Sequence, residues 1–112
     1  MSKAGSARPK KPTEEEVLAG LRLPTKGVAF EPPKNWFPTQ PLPRGPQNGY
    51  MDRHGREWVH GPSRTSGQHF EWDVQLPQGG HLNVDWGGNI THPKPKKVIK
   101  VVKFAKPYKK RR

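Results

Sequence analysis

The 112-residue sequence contains no cysteine and few apolar residues. The lack of cysteine excludes disulfide bridges, cysteine-based zinc sites and thiol nucleophiles. Hydrophobic residues make up 29% of the chain. No stretch of ~18 apolar residues is present that could cross a membrane. Because the chain also has 14 prolines and 12 glycines, we expect one small domain with long extended segments and a modest core.

Acidic residues are also scarce, and the basic excess is concentrated near the C-terminus. The formal net charge of +12 arises from 21 Lys and Arg against 9 Asp and Glu. Residues 93–112 hold 10 basic and no acidic residues, whereas residues 44–92 hold 4 basic and 5 acidic ones. A tail of this kind binds phosphate backbones without sequence preference; a targeting or solubilising tail is the alternative. The RNA-binding candidates in it are Lys94, Lys96, Lys97, Lys100 and Lys103.

The N-terminal part of the chain has a helix signal followed by a proline-rich stretch. Thr13 and Glu16 form a capping box that predicts a short helix over residues 14–19. Residues 24–46 contain seven prolines, which exclude a continuous helix or a central strand. We interpret this stretch as an extended arm that is anchored on the domain by its large apolar residues; a disordered linker is the alternative. Those residues are Phe30, Trp36, Phe37 and Leu42.

The remaining sequence predicts a mainly β domain of the α+β kind, a small, highly twisted antiparallel sheet with the helix and the arm added. Strands are predicted over residues 57–60, 68–76, 81–86, 90–92 and 98–104, with Gly, Pro and Asn turns between them. The predicted division of the chain is a basic, proline-rich arm with a short helix (1–45), a β domain (46–104) and a basic tail (105–112).

Polar and apolar residues alternate in the two clearest strands, so the polar ones share one face of the sheet. That face would hold His69, Glu71, Asp73, Gln75, His81, Asn83 and Asp85, without any lysine. It could be a solvated outer face, as antiparallel sheets commonly have. Carboxylates beside imidazoles, however, favour general acid–base chemistry.

Such a face fits the cleavage of RNA, because RNA supplies its own nucleophile in the 2′-hydroxyl group. The protein then has to supply a general base, a general acid and a cation for the developing phosphorane charge, and no metal or cofactor is required. Asp73 or Glu71 could be the base and His81 the acid. Arg64, in the preceding loop, would bind the phosphate because its planar fork can hold two oxygens.

Several alternatives stay open at this stage. His60 and His69 are possible substitutes for His81 as the acid. His81, Asn89 and His92 have the residue types of a His-Asn-His nuclease, but they lie too close together for its hairpin-and-helix layout. A basic RNA-binding or ribosome-binding protein without enzymatic activity and a DNA nuclease are the other functions considered.

An ordered series of uncommon residues resembles known toxins. Phe70-Glu71-Trp72-Asp73-Val74-Gln75 is followed by Gly80-His81-Leu82, Asp85, a glycine-rich turn and a basic stretch that ends at Lys100. From Trp58 to Lys100 the chain resembles the cytotoxic ribonuclease domain of the E-group colicins. From Gly45 to His92 it is also similar to the bacterial polymorphic-toxin family called type 17, which are predicted ribonucleases at the C-termini of larger delivered proteins.

The resemblance implies a compact twisted sheet and metal-independent RNA cleavage, with ribosomal RNA favoured and transfer RNA also considered. It also implies a cognate acidic immunity protein and delivery from a producing bacterium into the cytoplasm of a target cell. Asp73 matches the catalytic Asp of the colicins. Where they have a catalytic His and Glu, this chain has Leu76 and Gly80, and Lys97 is nearest to their catalytic Arg. His81 is therefore expected to replace the missing histidine.

Overall fold

The computed structural model describes residues 11–93. Within this range the chain forms one short helix, α1 (Glu14–Gly20), followed by five strands. The strands are β1 (Tyr50–Met51), β2 (Glu57–Gly61), β3 (Glu71–Gln75), β4 (His81–Val84) and β5 (Ile90–His92). They form one open antiparallel sheet in the order β1-β2-β3-β4-β5, so the predicted mainly β fold is confirmed. The strand predicted over residues 98–104 and the basic tail lie outside the described residues.

The helix begins where the capping box predicts. The Thr13 hydroxyl accepts a hydrogen bond from the Glu16 backbone N–H at 3.1 Å, and the Glu16 carboxylate accepts one from the Thr13 N–H at 3.0 Å. These two bonds satisfy donors that a helix leaves without internal partners at its N-terminus. Of the helical residues, Leu18 is fully buried and fixes α1 to the core.

One face of the sheet carries the core. Trp58 and Trp72 pack edge to face with their ring centroids 6.1 Å apart, and Val74 and Val84 are buried beside them. Burial of an indole requires a partner for its N–H group. Trp58 Nε1 donates to Asp52 Oδ2 at 2.9 Å, and Trp72 Nε1 donates to the Arg22 carbonyl at 2.8 Å.

The proline-rich segment covers this core. Phe30, Trp36 and Leu42 are buried, and Phe30 packs edge to face on Trp58 at 5.5 Å. Phe37, predicted as a further anchor, is instead 64% exposed. These three side chains help to attach the segment to the sheet, together with backbone hydrogen bonds such as that from the Met51 N–H to the Pro43 carbonyl at 2.9 Å.

Two glycines allow the segment to cross the turn between β4 and β5. Gly27 and Gly88 both have positive φ angles, 63° and 88°, and the Val28 N–H donates to the Gly88 carbonyl at 2.9 Å. A Cβ atom on either glycine would overlap the backbone of the other segment. The close approach therefore depends on glycine at both positions.

Candidate active site on the polar face of the sheet

The strand register places the predicted polar residues in rows across the face opposite the core. Val59, Asp73, Asn83 and His92 lie opposite one another on β2, β3, β4 and β5. In the next row Gln75 lies opposite His81. We call the surface formed by Glu71, Asp73, Gln75, His81, Asn83 and His92 the polar face.

Asp73 occupies the middle of the polar face and is half-buried. Gln75 Nε2 donates to Asp73 Oδ1 at 2.8 Å. Among the described residues no cation pairs with this carboxylate. Beside it β2 ends in Gly61, whose place on the polar face holds no side chain. The Asp73 carboxylate therefore has access to a ligand laid on the sheet.

Glu71 has a different environment, although it lies on the same strand. It is 0% exposed, and its carboxylate pairs with the Arg64 guanidinium group. It also accepts hydrogen bonds from the Arg64 backbone N–H at 3.1 Å and from the Thr91 hydroxyl at 2.9 Å. The Arg64 side chain is 51% exposed, so its guanidinium group retains N–H donors at the edge of the polar face.

A β-bulge brings Thr91 to this carboxylate. Asn83 and Val84 are adjacent on β4, but their partners on β5 are His92 and Ile90, so Thr91 is the extra residue. A bulge changes the direction of a side chain locally. Here it allows the Thr91 hydroxyl to reach Glu71.

Two imidazoles lie together near Asp73. The His81 and His92 rings are 6.4 Å apart between centroids with an angle of 22° between their planes, and both side chains are exposed. His81 lies diagonally across from Asp73, one row along the hairpin. Diagonal neighbours of this kind have Cα atoms about 7–8 Å apart. The face thus combines one open carboxylate, two exposed imidazoles and one arginine.

The structure separates other candidates from this group. Asp85, predicted on the polar row, lies beyond β4 and is buried in the next turn, so that prediction is wrong. Its carboxylate accepts hydrogen bonds from the N–H groups of Gly87 and Asn89, both at 2.9 Å, and holds the turn. His69 precedes β3 and approaches Trp86, with ring centroids 6.2 Å apart, because the predicted strand over 68–76 forms only from Glu71.

His60 also lies away from Asp73, since it pairs with Trp72 and shares the opposite face of the sheet. Burial, and to a smaller extent the positive charge of Arg44, lowers the pKa of His60 below its usual value. The position of the ring makes His60 a poor substitute for His81 on the polar face.

Two further carboxylates are buried for structural reasons. Glu57 accepts hydrogen bonds from the N–H groups of Gln47 at 2.7 Å and Gly49 at 2.8 Å. Asp52 accepts bonds from Trp58 Nε1 and Arg56 Nε at 2.9 and 2.7 Å. Because backbone and core groups satisfy both carboxylates, neither is available to a ligand.

Sequence reasoning underestimated His92 and missed Thr91. In the sequence, His92 stands out only as part of a His-Asn-His pattern, although the short strand over residues 90–92 could place it beside Asn83. The contribution of Thr91 depends on the bulge, which has no clear signal in a single sequence. Lys94, Lys96, Lys97, Lys100 and Lys103 lie outside the described residues.

In residues 11–93 no three His, Asp or Glu side chains form a group that could hold a metal ion. In the same range no helix is long and apolar enough to cross a membrane.

Comparison with known proteins identifies the class. A small mainly β domain with this sequence is a bacterial toxin domain of the polymorphic kind. The chain belongs to the family described as Novel toxin 17, whose profile matches residues 17–95. That match includes most of α1, the proline-rich segment and all five strands. Neither the curated proteins nor the solved structures contain a match.

Proposed function

We propose that this toxin domain is an endoribonuclease that cleaves RNA by general acid–base catalysis without a metal ion. The observation that carries the proposal is the position of Asp73, which is open to solvent and lies diagonal to an exposed His81 on one face. A solvated outer face would not need a buried Glu71 to hold Arg64 at its edge. This arrangement favours a site over a plain surface.

In the proposed reaction Asp73 accepts the proton of a ribose 2′-hydroxyl group while that oxygen attacks the adjacent phosphorus. Arg64 stabilises the negative charge of the phosphorane through its remaining N–H donors. His81 donates a proton to the departing 5′-oxygen as the phosphorus–oxygen bond breaks. The products are a 2′,3′-cyclic phosphate and a 5′-hydroxyl end.

Glu71 is a positioning residue in this proposal and not the base. Its carboxylate is fully buried and already accepts bonds from Arg64 and Thr91. Holding Arg64 in one orientation reduces the entropy lost when a phosphate binds. In this proposal Arg64 both binds the phosphate and stabilises the charge that develops on it.

Ribosomal RNA is the favoured substrate because of the resemblance to the E-group colicins, with transfer RNA as the other candidate. The basic tail would add affinity for RNA of any sequence through Lys94, Lys96, Lys97, Lys100 and Lys103. The family membership favours an acidic immunity protein as a partner and delivery into the cytoplasm of a target cell.

The proposal is tested by incubating the protein with intact ribosomes, naked RNA and duplex DNA, each with and without EDTA. We expect RNA to be cleaved equally well in EDTA and to end in cyclic phosphates. Binding of RNA without cleavage would support a ribosome-binding protein instead. Cleavage of duplex DNA, abolished by EDTA, would support a metal-dependent DNA nuclease.

A further inference from the structure

A groove lies at the β1 edge of the sheet, beside the end of β2, and most of the sheet residues that line it belong to the face opposite the polar face. It has a volume of about 310 Å³, at the lower end of the size range for small-ligand sites. We call it the Arg44–His60 groove; the lining residues that matter here are Arg44, Gln47, Asn48, Tyr50, His60 and Trp72. The proposed cleavage reaction uses none of them.

On one side of the groove a guanidinium group lies over an aromatic ring. Arg44 Cζ lies 4.2 Å from the centroid of the Tyr50 ring, and Arg44 Nη1 donates to the Asn48 carbonyl at 2.7 Å. The Tyr50 ring packs edge to face on Trp72 at 6.1 Å. Arg44 is thus exposed, yet its guanidinium group is held in place by the Tyr50 ring and by the Asn48 carbonyl.

The other side of the groove holds an imidazole that packs against aromatic rings. The His60 ring stacks on Phe70 with centroids 3.8 Å apart and an interplanar angle of 15°. It also packs edge to face on Trp72 at 4.8 Å. Burial, with a smaller effect of Arg44, lowers the pKa of His60, which favours the neutral form of the ring.

Oriented guanidinium and imidazole planes are the groups on which unstacked RNA bases stack, and a guanidinium group also binds phosphate. Gln47 and Asn48 add amide side chains that can donate to and accept from a base edge. An acidic peptide would need several cations, but Arg44 is the only Lys or Arg among the lining residues.

We infer that the Arg44–His60 groove binds one nucleotide of single-stranded RNA, its base stacked on Arg44 and His60 and its phosphate on Arg44. This inference rests on the proposed ribonuclease function, since it gives the substrate strand a second point of contact away from the cleaved bond. It assigns RNA recognition to the residues that line the groove, independently of the basic tail.

The test is titration of the isotope-labelled full chain with adenosine 5′-monophosphate, followed by NMR. We expect the ring signals of Tyr50 and His60 to shift on binding. Arg44→Ala should weaken the binding about tenfold, which is the scale of one stacked base. Arg44→Lys, which keeps the positive charge but lacks the planar guanidinium group, should weaken the binding nearly as much. Lys34→Ala, a matched loss of one exposed positive charge, should leave it unchanged.

Inorganic phosphate and a short polyglutamate peptide serve as competing probes. Shifts of equal size and affinity with either probe would overturn the inference, because they would define an anion site or a protein-binding site. Unchanged binding in both Arg44 variants would also overturn it. Because the mononucleotide contains no bond to be cleaved by the proposed reaction, the groove could bind it even if the proposed ribonuclease function fails.

Discussion

The two faces of strand β3 differ in how completely their side chains are surrounded. Trp72 and Val74 face the core and are 0% exposed, and the proline-rich segment and α1 cover that face. Asp73 and Gln75 face the other way and are only half-buried. Period-two alternation thus places the fully buried Trp72 and Val74 on one face of β3 and the half-buried Asp73 and Gln75 on the other.

The carboxylates extend this comparison. Asp52, Glu57 and Asp85 are buried and receive hydrogen bonds from backbone N–H groups of turns. Glu71 is buried as well, but it holds an arginine at the polar face. Asp73 alone of these five is half-exposed. Among these five, burial therefore distinguishes the carboxylates that support the structure from Asp73, which we propose as the base.

The largest expected effect on stability is that of Trp72→Ala on the core face. The change removes a fully buried indole that packs on Trp58, which costs about 3–5 kcal/mol of unfolding free energy. For a small domain this is a large part of the total. Urea unfolding followed by circular dichroism measures it. The neighbouring Gln75→Ala, on the polar face, should cost less than about 1 kcal/mol; similar losses in both variants would remove the distinction between the faces.

Glu71→Gln tests the carboxylate that is buried and yet belongs to the polar face. The neutral side chain leaves the buried partners of Glu71 poorly satisfied, which costs about 1–3 kcal/mol. The half-exposed Arg64 favours the lower part of that range. Because Arg64 also loses its fixed orientation, RNA cleavage by the folded protein should fall about 10- to 100-fold.

Asp52→Asn is the matched control for Glu71→Gln, since it also neutralises a buried carboxylate that binds an arginine. It should lower stability without lowering the cleavage rate of the folded fraction. Equal rate losses in the two variants would show that Glu71 has no special relation to the site.

Thr13→Ala should have a smaller effect on stability, because it weakens only the N-terminus of α1, which covers part of the core face. Loss of the capping hydroxyl should cost about 1 kcal/mol, because the Glu16 N–H loses its acceptor. The cleavage rate should not change, since α1 packs on the core through Leu18 and not on the polar face. Thermal unfolding measures the loss of stability, and an RNA cleavage assay measures the rate. A change in cleavage rate without loss of stability would contradict the proposed separation of the core face from the polar face.

The smallest effect concerns the pKa of His60. An NMR titration should give a pKa below the ordinary 6.5, and Arg44→Ala should raise this pKa without restoring the ordinary value, since burial is the larger cause. The folded protein resists protonation of this ring, so the contribution of His60 to stability is present above pH 6.5 and is lost as the pH falls through the lowered pKa. A pKa at or above 6.5 would contradict the packing of His60 on Phe70.

Much of the fold could be predicted from local patterns. The capping box fixed the start of α1, and alternation placed Trp72 and Val74 opposite Asp73, because both depend only on residue spacing. The length of β3 was overestimated, since Phe70 and Leu76 continue the alternation but have no strand partners.

Other features depend on contacts between distant residues. The burial of Glu71 requires Arg64 from a loop and Thr91 from a bulge, and neither is visible in the spacing around Glu71. Asp85 continues an alternating pattern, yet turn hydrogen bonds to Gly87 and Asn89 determine its position. The polar face could therefore be predicted as a set of residue types but not as an arrangement.

The central claim is that Asp73 and His81, two of the less buried residues of the polar face, carry catalysis and contribute little to stability. Its most direct test measures the initial rate of RNA cleavage in EDTA and the urea unfolding midpoint for the wild-type protein, Asp73→Asn and His81→Ala. We expect each variant to lose at least about 100-fold in rate with an unchanged midpoint. Wild-type cleavage rates in both variants, with the fold intact, would contradict the account.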